Sequence, residues 1–286
     1  MPIAKLSQAE LYYDEFGSGD RYLIQAQQFT NNKLHYTIDL AEQGFHVFNI
    51  QIRGYAPSML VHEDLGEAWY DTWAQDVIDF ADAMGIDRFF YTGYSHGAGI
   101  GWHLCMNHPE RLRAFFPIVG GPHKKDGQET GSARMNTIRA AESPETWRPY
   151  AEKFASGTMD MYNRIAARAD DPDLKQAALG AAEQERDFWI NMPKASAVLN
   201  PKKPFPKIKT EEELIDTLRR IKIATLMIGG MKDDISTPED MVRSCRAVEH
   251  SKLILYADAN HGNLGPEHRL EIVDDIMQFC HNRNLL

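Results

Sequence analysis

A serine framed by glycines is the strongest candidate in this chain for covalent chemistry. The segment 93–97 reads Gly-Tyr-Ser-His-Gly and lies between a β-rich run and a helix-like run. A serine in a tight strand-to-helix turn projects its hydroxyl outward only if the residues two before and two after it are small, and Gly93 and Gly97 meet this condition. The start of the following helix also offers the N–H of His96 to a developing oxyanion. The pattern favours Ser95 as a nucleophile over an ordinary turn residue, provided that a base and an acid accompany it.

The base that a serine hydroxyl requires is best supplied by His261, one of 11 histidines. It stands in a loop at 258–262 (Asp-Ala-Asn-His-Gly), directly after a strand-like run at 252–256 and before the final helix. The other histidines lie on or beside helices, or have no strand-end position next to an acid. None shows the H-E-x-x-H spacing of a metal site, so the sequence predicts no metal.

The carboxylate that orients the imidazole is predicted to be Asp233, with the neighbouring Asp234 as its rival. Both follow the strand-like run 223–228. Either carboxylate could instead cap the helix that comes next, but Thr237 already fills the N-cap position. The loop after the run 114–119 holds two glycines and a proline and no carboxylate, which favours the later loop.

Strand-like and helix-like segments alternate along the chain, as is typical of a largely parallel sheet with helices on its faces. Strands are predicted at 9–16, 21–25, 45–50, 86–92, 114–119, 223–228 and 252–256. Helices are predicted at 33–43, 69–84 and 98–107, from 238, and from about 266. Between 123 and 209 only helical patterns occur. The sequence therefore predicts an α/β body, 1–122 with 210–286, interrupted by a helical insertion at 123–209.

Composition limits the partners and the cellular setting. The chain has 286 residues, 43% of them hydrophobic, and a formal charge of −10 that repels polyanions, so no nucleic-acid partner is expected. Its three cysteines form neither a disulfide framework nor a zinc motif, and the beginning of the chain lacks the apolar run of a signal peptide. No stretch reaches the roughly 20 apolar residues of a membrane span. We expect a cytoplasmic protein without membrane association, and the sequence leaves open whether it forms a homo-oligomer.

Taken together, the motifs resemble those of the α/β-hydrolase fold family. The segment 93–97 matches the family pattern G-x-S-x-G, and Ser95, Asp233 and His261 occur in the order that the family uses. The segment 44–55, which ends in Arg-Gly-Tyr, resembles the family segment that ends in R-G-x-G-x-S. The resemblance covers nearly the whole chain. It implies an α/β-hydrolase fold with a mostly parallel sheet, helices on both faces, and a helical cap at the insertion.

The resemblance also implies a mechanism that needs no cofactor. Ser95 attacks an acyl carbon, His261 takes its proton and later returns one to the leaving group, and Asp233 orients the imidazole. Water then releases the acyl enzyme.

The oxyanion donors are expected to be the backbone N–H groups of His96 and Gln28. The family commonly carries His-Gly and one further residue after its third strand, whereas this chain has Ala-Gln-Gln-Phe at 26–29. Counting from the start of the strand selects Gln28, and counting back from Gly44 selects Ala26. We choose Gln28, whose side-chain amide is a donor in its own right.

The helical insertion is expected to cover the site and to shape its pocket. It is rich in aromatic and methionine side chains, which singly are more typical of a helix core than of a pocket. As a set they are consistent with an apolar or aromatic substrate. The residues expected to contact the substrate are Trp147, Met159, Tyr162 and Trp189.

Hydrolysis of a small carboxylic ester or lactone is the favoured reaction. The same triad serves C–C bond hydrolysis and amide hydrolysis, and similar frameworks act as cofactor-free oxidoreductases or lyases. Outside enzymes, the alternative is a ligand-binding receptor with a vestigial triad. Each enzymatic alternative takes a small-molecule substrate.

Overall fold

One central sheet organises the molecule. The computed structural model describes residues 2–28 and 34–286, and its eight strands pair in the order β1-β2-β4-β3-β5-β6-β7-β8. The strands are β1 (Ile3–Lys5), β2 (Glu10–Phe16), β3 (Tyr22–Gln27), β4 (His46–Gln51), β5 (Phe89–Tyr94), β6 (Leu112–Ile118), β7 (Thr225–Gly230) and β8 (Ser251–Tyr256). β1 and β2 are antiparallel to their neighbours, whereas β3 to β8 all run parallel.

The central strands are buried on both faces, which explains their continuous apolar runs. In β5, Phe89, Phe90 and Tyr91 are all fully buried although alternate residues point to opposite faces. Helices cover each face. α1 (Tyr36–Glu42) and α11 (Arg269–Asn282) enclose one core, while α2 (Trp69–Ala83) and α3 (His96–Asn107) enclose the other. The mostly parallel sheet with helices on both faces, predicted from the alternation, is thereby confirmed.

Four helices lie within the segment 123–209, which contains no strand, as the sequence predicts. They are α4 (Ser132–Ala140), α5 (Pro144–Arg168), α6 (Pro172–Ile190) and α7 (Lys194–Ala197). α5 and α6 pack on each other through small side chains, with Ala178, Ala181 and Ala182 buried against Tyr162. The remaining helices are α8 (Glu211–Arg219), α9 (Pro238–Ala247) and α10 (Leu264–Glu267). Within the described part of the chain, no helix combines the length and apolar composition needed to cross a membrane.

The predicted element boundaries differ from the structure in a few places. β1 is absent from the prediction, because three residues are too few to show an alternating pattern. β5 begins at Phe89 and not at residue 86, since Ile86 donates its N–H to the carbonyl of Ala81 and closes α2. α1 begins at Tyr36, and residue 33 of the predicted helix lies outside the described residues.

Candidate active site

Ser95 is the single residue between the end of β5 and the start of α3. Its backbone has φ 51° and ψ −107°, in the region of positive φ that a residue with a side chain rarely adopts. Two hydrogen bonds hold this conformation: the Ser95 N–H donates to the Ile118 carbonyl at 3.0 Å, and the Ser95 carbonyl accepts from the Gly99 N–H at 3.1 Å. The hydroxyl is consequently presented at the carboxyl edge of the sheet, directly before the first turn of a helix.

The two glycines of the turn are required by close backbone contacts. A Cβ at Gly93 would lie 2.1 Å from the backbone carbon of Gly97. A Cβ at Gly97 would lie 2.4 Å from the carbonyl oxygen of Ala26, in β3. Because both obstacles are backbone atoms of packed elements, neither can move aside cheaply. The sequence predicts that side chains at positions 93 and 97 would clash, and the atoms they would meet are the Gly97 backbone and the Ala26 carbonyl.

Ser95, His261 and Asp233 form one hydrogen-bonded row. The distance from Ser95 Oγ to His261 Nε2 is 3.0 Å, and His261 Nδ1 lies 2.9 Å from Asp233 Oδ2 and 3.1 Å from Oδ1. The Asp233 side chain is fully buried and also accepts backbone N–H groups of Ile235 and Ser236, at 2.8 and 2.9 Å. Asp234, its rival in the sequence, is exposed at the rim of the cavity. It is Asp233 that contacts the imidazole.

The loops that carry these side chains are tied to one another. The Lys232 N–H donates to the Ala259 carbonyl at 2.9 Å, which joins the loop after β7 to the loop after β8. The Tyr94 hydroxyl donates to the carbonyl of His261 itself. β5, β7 and β8 are parallel, so their carboxyl ends lie at the same edge of the sheet. The three side chains of the row are therefore positioned by loops that are hydrogen-bonded to one another.

The two predicted oxyanion residues line the same cavity as Ser95. His96 is the first residue of α3, where a backbone N–H has no partner within the helix. Gln28 follows the last residue of β3, and both Gln28 and Gln27 line the cavity beside Ser95. Ala26, the alternative from counting back, lies inside the strand and is not among the described lining residues.

A cavity of about 1000 Å³ opens from Ser95 and extends under α4, α5 and α6. Tyr162 and Trp189, two of the four residues expected to contact the substrate, line it. The other two, Trp147 and Met159, lie outside the described lining, and their contact with a substrate stays a prediction. Trp147 packs against Tyr150 with tilted rings, 5.9 Å between ring centres, and Met159 packs into the cluster between α5 and α6.

The family model described as "alpha/beta hydrolase fold" matches residues 34–266. The chain belongs to the α/β-hydrolase fold family. The AB hydrolase superfamily protein YisY of Bacillus subtilis is 22% identical over 259 residues, with 88% of each chain covered. The enol-lactonase of Burkholderia xenovorans superposes with a TM-score of 0.67 at 19% identity, covering 98% of this chain and 100% of that one. An esterase of Exiguobacterium antarcticum gives 0.69 at 16% identity, covering 97% and 98%.

Against the family pattern, this chain has an unusual wall beside the nucleophile. Where the family commonly has His-Gly, the end of β3 supplies two glutamines, and the Gln25 amide donates to Gln27 Oε1 at 2.9 Å. Gln28 Oε1 is buried without a hydrogen-bond partner among the described residues, and so is Nδ1 of His96. Burial, followed by the charge of Arg134, lowers the pKa of His96 to about 3, so this ring is neutral. This part of the cavity wall is therefore polar, and the ring of His96 adds no charge to it.

Several lining residues were missed from the sequence. Tyr150, Phe154 and Thr158 line the cavity together with Tyr162, at the 3–4-residue spacing of one face of α5. Extending that period from Tyr162 would have found them. Arg134 and Glu185 also line the cavity but belong to no motif, and nothing in the sequence signals them.

Glu185 brings a carboxyl group to the part of the cavity under α6. Burial raises its pKa to about 7. Among residues 2–28 and 34–286, no group of three or more His, Cys, Asp or Glu side chains is placed to hold a metal ion. The site can therefore offer a hydroxyl, a base and donors for an oxyanion, all from side chains and backbone of the chain itself.

Proposed function

We propose that this α/β-hydrolase-fold protein is a serine hydrolase that cleaves small carboxylic esters or lactones. The single observation that carries the proposal is the row of hydrogen bonds from Ser95 through His261 to Asp233, at the mouth of a large cavity. A serine hydroxyl is a poor nucleophile unless a base accepts its proton, and these distances suit that transfer.

In the proposed reaction, Ser95 Oγ attacks the acyl carbon while its proton passes to His261 Nε2. Asp233 holds the Nδ1–H tautomer and stabilises the imidazolium that forms. Collapse of the tetrahedral intermediate expels the alcohol, which takes the proton from Nε2. A water molecule, deprotonated by the same nitrogen, then attacks the acyl enzyme and releases the acid.

In this proposal, the backbone N–H groups of His96 and Gln28 donate hydrogen bonds to the negatively charged oxygen of the tetrahedral intermediate. One such donor contributes about 3 to 4 kcal/mol to lowering the barrier in hydrolases of this type. The buried, neutral ring of His96 keeps a second positive charge away from the imidazolium of His261.

The helical segment 123–209 is proposed to act as the cap over this site. Its α5 and α6 contribute Tyr162 and Trp189 to the cavity wall, and such a wall suits an apolar or aromatic part of a substrate. The names of the enol-lactonase and the esterase that share the fold support an ester or lactone as the bond cleaved. C–C and amide bonds remain alternatives that a substrate screen separates.

Labelling with a serine-directed phosphonate, followed by intact-mass measurement, tests the nucleophile. We expect one adduct on the wild-type chain and none on Ser95→Ala, because the hydroxyl at the turn is the activated one. An unlabelled wild-type chain would contradict the proposal. A screen of ester, lactone, amide and β-diketone substrates then assigns the bond, and tight ligand binding without any turnover would favour a receptor.

A further inference from the structure

Arg134 places a positive charge in the cavity that no described carboxylate pairs with. It lies on α4, and its guanidinium donates three hydrogen bonds to carbonyls: Nε to Leu199 at 2.5 Å, and Nη2 to Ser196 at 2.9 Å and Ala197 at 3.1 Å. Carbonyl groups fix the orientation of a guanidinium but carry no net charge to balance it. The side chain is only half-buried, and besides these carbonyls the buried Tyr55 hydroxyl is a neighbour of the guanidinium and carries no formal charge at neutral pH.

The charge of Arg134 acts on the reaction centre. Besides burial, it contributes to the lowered pKa of His96, the residue directly after the nucleophile. It also opposes the effect of burial, which raises the pKa of Tyr70 and that of Tyr150. All three rings line the same cavity as Ser95. An anion held at Arg134 would therefore occupy the same cavity as the carbon that Ser95 attacks.

Neutral hydroxyl groups surround this cation. Thr137, one turn further along α4, makes a 2.8 Å hydrogen bond with the Tyr150 hydroxyl, and both residues line the cavity beside Arg134. The Thr137 hydroxyl also donates to the Ala133 carbonyl at 3.2 Å. These hydroxyls carry no charge, so they do not compete with an anion for the guanidinium as a carboxylate would.

Three cations that line the cavity have a carboxylate partner, whereas Arg134 has none among the described residues. Lys203 pairs with Asp126 at 2.8 Å, Arg243 with Asp240 at 2.7 Å and Lys202 with Glu129 at 3.6 Å. The acidic side chain that α6 contributes to the lining is Glu185, and burial raises the pKa of its carboxyl to about 7. Arg134 is therefore a lining cation whose charge no adjacent carboxylate balances.

We propose that Arg134 is a specificity-determining residue that binds a carboxylate of the substrate. The inference rests on the proposed hydrolase function and narrows its substrates to acids that carry a second, free carboxylate. Monoesters of short dicarboxylic acids, and lactones bearing a carboxylate, have this chemistry. Because Nε and Nη2 are held by carbonyls, we expect a single-point ion pair between this carboxylate and the guanidinium, with the ester carbonyl of the substrate at Ser95.

A matched pair of esters tests the proposal: mono-4-nitrophenyl glutarate and 4-nitrophenyl pentanoate share a five-carbon acyl chain and differ in the terminal carboxylate. We expect the wild-type chain to favour the anionic ester in kcat/KM. Arg134→Gln should lose about 30- to 100-fold on the anionic ester, mostly through KM, and less than about threefold on the neutral one. Arg134→Lys, which retains the charge, should recover part of the selectivity.

Activity of each variant on the neutral ester reports whether the α4 contacts survive. Equal losses on the two esters would mean that Arg134 is only structural and would overturn the proposal, as would a wild-type preference for the neutral ester. Binding of glutarate to Ser95→Ala, measured as a thermal shift, separates this inference from the proposed reaction. Stabilisation that disappears in Ser95→Ala with Arg134→Gln supports the carboxylate subsite even if no ester is cleaved, and no stabilisation of Ser95→Ala contradicts it.

Discussion

At the scale of single residues, the position of Asp233 explains why one of two adjacent carboxylates contacts the base. Asp233 is buried and takes two backbone N–H groups from the chain that follows it, which fixes the plane of its carboxylate against His261 Nδ1. Asp234 points to the rim, where water solvates it. A carboxylate held by backbone donors needs no reorganisation when the imidazole becomes charged.

Asp233→Asn should therefore lower kcat on a 4-nitrophenyl ester by about 10³- to 10⁴-fold, because the amide favours the wrong imidazole tautomer. Asp234→Asn is the matched control, with the same chemical change one position along, and should stay within about threefold of wild type. Steady-state kinetics of the purified variants check both values. A large loss of activity in Asp234→Asn instead would show that Asp233 is not the acid that orients His261.

Sequence reasoning could find the three side chains of the hydrogen-bonded row because each follows a strand. Ser95, Asp233 and His261 stand where the pattern changes from strand to loop or helix, so their type and their place are both visible. Arg134 and Glu185 lie inside helices, where the sequence shows the residue type but not which neighbour it faces. Which neighbours these two side chains face depends on how α4 and α6 pack against the rest of the chain.

At the scale of elements, the turn between β5 and α3 depends on how closely the helix approaches β3. Gly97 lies under the carbonyl of Ala26, so the helix can rest on the strand only without a side chain at that position. This approach sets the height of the first helical turn, and with it the N–H of His96 relative to Ser95.

Gly97→Ala should abolish measurable esterase activity and lower the melting temperature, since the new methyl would meet a backbone oxygen at 2.4 Å. Gly180→Ala, in the exposed part of α6, meets nothing within 4 Å and serves as the control. There alanine should leave activity unchanged and stabilise the helix by up to about 1 kcal/mol. Thermal unfolding and ester hydrolysis of both variants check this contrast, and an active Gly97→Ala would disprove the steric account.

At the scale of the whole molecule, alternation of strands and helices predicts a mostly parallel sheet but not the order of its strands. β3 lies between β4 and β5 because the chain crosses over after β3, and no local pattern records that crossover. The position of α4 to α7 relative to the sheet is likewise a tertiary property. What the sequence does predict is that the reacting residues follow parallel strands, and this suffices to bring them to one edge.

One buried ion pair joins the loop after β4 to the helix layer. Arg53 donates Nε to Asp76 Oδ2 at 2.7 Å, and its Nη2 contacts Oδ1, with 11% and 5% of the two side chains exposed. Asp76→Ala should lower the free energy of unfolding by about 3 to 5 kcal/mol, because it leaves a buried guanidinium unpaired. Asp82→Ala removes the exposed partner of Arg111 and should cost less than about 1 kcal/mol. Denaturant unfolding measures both, and equal losses would contradict the argument.

Glu185 should give the stability of the whole molecule a distinctive pH dependence. Its pKa is raised from 4.5 to about 7 by burial, so between these values the folded chain keeps a proton that the unfolded chain releases. Folding stability must then fall as pH rises from about 5 towards 7, and remain lower above that range.

Glu185→Gln removes this dependence, because the amide is neutral in both states. Each pH unit corresponds to about 1.4 kcal/mol, so relative to wild type the variant should gain up to about 3 kcal/mol at pH 8 and nothing near pH 4. Glu183→Gln, on the exposed side of the same helix, is the control and should leave the wild-type profile unchanged. Denaturant unfolding between pH 4 and pH 8 decides the matter. If Glu185→Gln and wild type show parallel profiles, the carboxyl is ionised in the folded chain throughout, and water must reach it inside the cavity.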